Sequence, residues 1–188
     1  MTLTMREIWT MVHGMGFGAL FLLFFSGAIF ELYRATSGTA LQTTPNQRRW
    51  LEIYLFGMAG LAWMTVLTGA YVIYPWYRAV PPAGTTNLAL FSQRLLLANP
   101  GTAGWHSIGM EWKEYVAWFA PIAMTMVAVV YRKYGDQLRN HRQMRTALLS
   151  FVCVAFLSAA IAGFFGAMLA RVAPVQGGRT LQLMRQPQ

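Results

Sequence analysis

Four apolar stretches govern what this chain can fold into: Ile8 to Leu32, Ile53 to Tyr74, Val116 to Tyr131 and Ala147 to Leu169. A helix crossing the hydrocarbon of a bilayer needs about 20 mostly apolar residues. The first, second and fourth stretches reach that length unaided. The third reaches it only with Ile108 to Tyr115, so its charged entrance belongs to the helix. Irregular backbone in lipid leaves amides without partners, which makes helices the economical solution. The chain reads as all-α: one integral-membrane four-helix bundle over residues 1–188, with helices near 6–33, 51–74, 107–133 and 146–171. Leu88, Leu90, Phe91, Leu95, Leu96 and Leu97, interleaved with Gln93 and Arg94, predict a short interfacial helix in the second loop.

The first stretch is too long for a signal-peptide core and lacks a strong basic leader, so it is expected to remain in the mature protein. The single Cys153 lies inside the fourth stretch and reads as a small buried hydrophobe, with no disulfide framework or CxxC motif. A net charge of +9 would suit nucleic acid, but its placement points to a membrane. Arg34, Arg48 and Arg49 precede the second helix; Arg132, Lys133, Arg139, Arg142 and Arg145 lie between the third and fourth. Basic residues in short loops mark the cytoplasmic side. Both termini and the loop from Pro75 to Ser107 are therefore expected outside, in a bacterial inner membrane, although Arg171, Arg179 and Arg185 in the tail pull the other way.

Chemistry concentrates at that outer end. Gly104-Trp105-His106-Ser107-Ile108-Gly109-Met110-Glu111-Trp112-Lys113-Glu114 opens the third helix, and His13-Gly14 lies near the start of the first. Ionisable groups at membrane depth cost free energy and mark candidate sites. Helices one and three run in the same direction, so His13 and His106 share one membrane face whichever way the protein is inserted. At α-helical spacing His106, Met110 and Glu114 form one stripe, while Glu111 and Lys113 point elsewhere and Lys113 can snorkel to the headgroups.

Imidazoles from two helices can clamp a haem iron, and His/Met ligation is an alternative. His13 and His106 are thus the candidate metal ligands. Met110 is a further candidate ligand, and Gly14 would let a flat macrocycle approach. Glu114 and Glu111 are the candidate proton-transfer carboxylates, with Glu114 also suited to orienting a ligand histidine. The bland alternatives are a Gly14/Gly18 pair that only packs helices, carboxylates that only favour a helix N-terminus, and histidines that are only hydrogen-bonded. His141 sits in a basic loop at the opposite end.

In architecture the chain resembles small b-type membrane cytochromes and the haem-bearing membrane anchors of respiratory complexes; the likeness rests on the helices and implies no residue. No nucleotide fingerprint or hydrolase motif appears. The expected function is membrane electron transfer in a respiratory or photosynthetic complex, with haem b or a quinone near the outer face. Other membrane subunits or a redox partner are the expected partners, besides lipid, and nucleic acid is not among them. If the chain is catalytic, it is a membrane oxidoreductase component. The alternatives are a structural subunit that binds no cofactor and, behind it, a small transporter.

Overall fold

The computed structural model describes residues 2–37 and 44–182. It is 78% helical, with four helices long and apolar enough to cross a membrane. In chain order the helices are α1 (Met5–Thr36), α2 (Pro45–Tyr77), the short α3 (Ser92–Leu97), α4 (Pro100–Tyr134) and α5 (Arg142–Val172). Strands β1 (Thr2–Thr4) and β2 (Thr180–Gln182) pair antiparallel, with Thr4 opposite Thr180. Arg185 lies outside the described residues.

The helices run past the apolar stretches because capping residues stand beyond them. Thr4 accepts from the Glu7 N–H at 3.3 Å, and the Glu7 carboxylate accepts from the Thr4 N–H at 2.7 Å. Thr44 and Gln47 make the same reciprocal box at α2, with Pro45 in the first turn, where its missing N–H costs nothing. Asn99 caps α4 by accepting from Gly101 at 2.8 Å. At about 1.5 Å per residue, helices of 31 to 35 residues extend roughly 46–53 Å, well beyond the ~30 Å hydrocarbon core.

Three of the four long helices contain a stretch of wider, π-helical winding: Val12–Ala19 in α1, Gly69–Ile73 in α2 and Trp112–Val116 in α4. In α4 the Ala117 N–H reaches back five residues to the Trp112 carbonyl at 3.1 Å. In α2 the Tyr74 N–H reaches Gly69 in the same way. Such turns insert one residue into the helical count and often mark functional sites. Neither proline stops its helix. Pro121 has no N–H for the Ala117 carbonyl, and the Ala120 N–H takes that acceptor at 3.2 Å. Helix α2 runs on two residues past Pro75 to Tyr77.

The long helices touch in a closed sequence: α1 with α2, α2 with α4, α4 with α5, and α5 with α1. Alanines 28, 35, 59, 62, 123, 128 and 155 are buried along these seams, around Phe21, Leu32, Leu55, Met124, Val127 and Val152. In lipid, burial against another helix gains little from excluding water, so small residues that permit close approach and interhelical hydrogen bonds carry the association. Trp63 Nε1 donates to Thr125 at 3.0 Å, and Trp112 Nε1 to the Ser158 carbonyl at 3.2 Å. Leu23, Phe30, Tyr71 and Tyr115 face outward, as lipid contact requires.

The two ends of the molecule differ. At one, Arg48 pairs with Glu52 and Asp136, and Arg145 donates to the Thr36 carbonyl at 3.1 Å. At the other, the β1–β2 clasp, α3 and residues after α5 fold over the helix ends. There Ser92 donates to the Pro174 carbonyl at 3.0 Å, and Arg6 reaches the Gln176 carbonyl at 3.3 Å. Gly177 and Gly178 turn the chain back with φ of +95° and +86°, where a side chain would be strained.

Candidate functional site

All three π-helical stretches lie in the halves of their helices nearest the clasp, and the polar groups at membrane depth gather around them. His13 stands in the first. Its Nδ1 lies 3.0 Å from Thr68 Oγ1 on α2. Thr68 has one hydroxyl proton, and it is directed to the Met64 carbonyl at 2.6 Å. Thr68 thus holds the ring through Nδ1, and the direction of that bond follows the tautomer. Gly69 makes room for the ring, since a Cβ there would stand 2.8 Å from His13 Cε1.

His106 belongs to a separate group. Tyr77 Oη lies 2.6 Å from its Nδ1, the two rings stack at 5.9 Å, and Gln93 Nε2 lies 3.5 Å from its Nε2. Each ring nitrogen of His106 thus faces a hydrogen-bonding side chain, with donor and acceptor roles that follow its tautomer.

Met110 is buried beside this pair with Tyr77, Leu96, Leu169 and Ala173. Gly14 is exposed, and a Cβ there would meet nothing within 4 Å, so only Gly18 of the glycine pair touches α2, through Thr65 at 3.6 Å. Glu111 is exposed. Glu114 is half-buried, and the Tyr74 hydroxyl accepts from Arg78 at 2.9 Å.

The stripe expected from α-helical spacing holds from His106 to Met110 and ends at Trp112, where the wider winding begins. Lys113 is the residue whose place differs most from expectation. Its Nζ turns toward α5, 3.4 Å from where a Cβ on Gly166 would stand. Among the described residues it has no carboxylate or hydrogen-bond partner.

A histidine clamp on a haem iron needs two free lone pairs facing one another. Both ring nitrogens of His106 already face hydrogen-bonding side chains, and α1 and α4 stand diagonally, each in contact with α2 and α5. Met110 lies in an apolar cluster that does not include His13. The paired axial arrangements do not fit these residues as placed. Among the described residues no three His, Cys, Asp or Glu are placed to share a metal ion. What the arrangement offers is proton chemistry: an imidazole at His13, a cation at Lys113 and a carboxylate at Glu114.

Thr68, Gly69, Tyr74, Tyr77, Gln93, Lys113 and Gly166 were not candidates on sequence grounds. The one usable signal was Thr68, a hydroxyl near the outer end of an apolar stretch. Comparison with protein-family models, curated proteins and solved structures gives no match.

Proposed function

We propose that the protein is a quinone-linked membrane component of an electron-transfer complex, working at the clasp end of its helices. In this reading the four long helices form a bundle across a bacterial plasma membrane. The clasp faces outside, and α3 lies along the interface. One observation carries the proposal: His13 is held within a membrane span with its Nδ1 3.0 Å from the Thr68 hydroxyl, at the end of the helices where Glu114 and Lys113 also lie. A quinol oxidised there releases two protons and two electrons. The His13 imidazole takes one proton, the Glu114 carboxylate near the same end takes the other, and the electrons pass to a redox partner subunit. Haem b, if the complex has it, belongs in this reading to that partner.

The second reading, a purely structural subunit, is favoured by the absence of any buried side-chain nitrogen or oxygen without a partner among the described residues. Quinol-driven electron flow in membranes containing His13→Ala or Glu114→Gln separates the two. The redox role predicts at least a severalfold slower flow in His13→Ala and an altered pH dependence in Glu114→Gln, with normal insertion of both. Wild-type behaviour of both variants gives the structural reading.

A further inference from the structure

We propose that the end of the bundle away from the clasp binds anionic phospholipid, with Arg49 on α2 and Arg132 and Lys133 on α4 as the cations that take its phosphate. This does not depend on the quinone-linked reading. It goes beyond apolar contact with a bilayer to the headgroup that the surface selects.

Charge at this end is lopsided. Residues 31–52 and 132–145 carry eight basic side chains against three carboxylates, Glu31, Glu52 and Asp136. All three carboxylates are already taken. Glu31 pairs with Arg34 at 2.7 Å within α1. Arg48 holds the other two: it lies 3.4 Å from Glu52 and pairs with Asp136, just past α4. It also donates to the Arg132 carbonyl at 3.1 Å, which pins the start of α2 to the end of α4. Arg49, Arg132 and Lys133 are exposed at that junction, and among the described residues none of them has a carboxylate within ion-pairing distance. Lys133 rests its ammonium over the Tyr134 ring, 5.1 Å from the centroid, a contact that leaves its charge uncompensated.

Helix electrostatics explain only part of this. The last turn of a helix favours cations, which suits Arg132 and Lys133. It does not account for Arg49 near the start of α2, nor for Arg142 and Arg145 at the start of α5; neither helix has an acidic residue in its first turn. An anion from outside the chain fits all of them.

The surface beside the cations identifies that anion. Ile53 and Phe56, four and seven residues after Arg49 and so on its side of α2, are exposed, as is Val129, four residues before Lys133. Trp50, next to Arg49, is 64% exposed, as a residue of an interfacial aromatic belt would be. A soluble anion would meet charge alone. A phospholipid meets charge and, directly beneath it, apolar helix faces along which its acyl chains can lie. Guanidinium N–H groups match phosphate oxygens in pairs. Phosphatidylglycerol brings such a phosphate without the quaternary ammonium that phosphatidylcholine would place against the same cations.

The test uses the full chain in detergent, with phosphatidylglycerol and phosphatidylcholine of equal acyl length as competing probes and native mass spectrometry of lipid-bound protein as readout. A basic side chain near an anionic membrane surface contributes about fivefold in affinity. Wild type is expected to prefer phosphatidylglycerol by about tenfold or more, and the triple variant Arg49→Gln, Arg132→Gln, Lys133→Gln should lose most of that preference. The charge-matched variant Arg94→Gln, Arg171→Gln, Arg179→Gln, at exposed positions of the clasp end, should keep it. Circular dichroism melts check folding, and Arg49→Gln alone, expected to lose about fivefold, decides the matter if the triple variant melts early. A wild type without preference overturns the proposal. So does an equal loss in the charge-matched variant, which would reduce the effect to net charge. Displacement of phosphatidylglycerol by glycerol phosphate, which has the same phosphate and no acyl chain, assigns the cations to a soluble anion and also overturns it.

Discussion

Gly69→Ala offers the sharpest check on the geometry around His13. The added methyl would stand 2.8 Å from Cε1, 3.5 Å from Nε2 and 3.6 Å from Nδ1 of the ring. Non-bonded carbons settle at about 3.5–4.0 Å. The ring must therefore retreat by most of an ångström, and doing so strains its 3.0 Å bond to Thr68. Overpacking of this kind costs about 1–3 kcal/mol. Replacing glycine by alanine inside a helix returns about 1 kcal/mol, so the net expectation is a loss of about 0–2 kcal/mol. In a His13→Ala background no ring stands in the way, and the same substitution should stabilise by about 1 kcal/mol. The sign reverses, and the double-mutant cycle carries an interaction energy of about 1–3 kcal/mol. Reversible unfolding in mixed micelles, titrated with SDS and followed by circular dichroism, measures all four corners. An effect of Gly69→Ala that is the same in both backgrounds would refute the placement of His13 against α2.

Two further outcomes are expected. Gln137→Cys, in a Cys153→Ala background, should resist a membrane-impermeant maleimide in intact cells; labelling would reverse the orientation while leaving both histidines at one end. Tyr77→Phe removes the hydroxyl bound to His106 Nδ1 and should cost about 0.6 kcal/mol, typical of a hydrogen bond between membrane helices, and diethylpyrocarbonate should then modify His106 faster than in wild type. Unchanged modification kinetics would mean that Tyr77 does not hold that nitrogen.

Much of the helical scaffold was legible because apolar length is written locally. Ile53 to Tyr74 announces a span by itself, whereas α4 starts at Pro100, seven residues before the expected 107, behind an Asn99 cap that apolar length does not mark. That His13 and His106 share an end follows from counting crossings. The partners of those histidines were hidden for a different reason. Thr68 lies 55 residues from His13, and Tyr77 lies 29 from His106, and nothing periodic links either pair. The diagonal order of α1 and α4 is likewise a property of packing that hydropathy does not encode. Lys113 was misplaced because a 3.6-residue period was extended through Trp112–Val116, where the hydrogen bonds run to the fifth residue. Gly14, Gly16 and Gly18 hint at irregular winding in α1, but Trp112–Val116 contains neither glycine nor proline, and no residue there signals the wider turn.

The β1–β2 clasp also sets an order of events. From Thr4 to Thr180 the chain makes one closed loop around all four long helices. Were it flexible, joining its ends would cost on the order of 4–5 kcal/mol by the logarithmic length law, more than a pair of three-residue strands returns. Once α1 and α5 stand side by side, their clasp-end neighbours are already adjacent and that entropy has been lost to helix packing. The clasp is therefore a late event in assembly, fastening helices that have found one another by other means. Its loosening is correspondingly the earliest step by which the roof over Tyr77, Leu96 and Met110 could lift while the helices beneath stay in place.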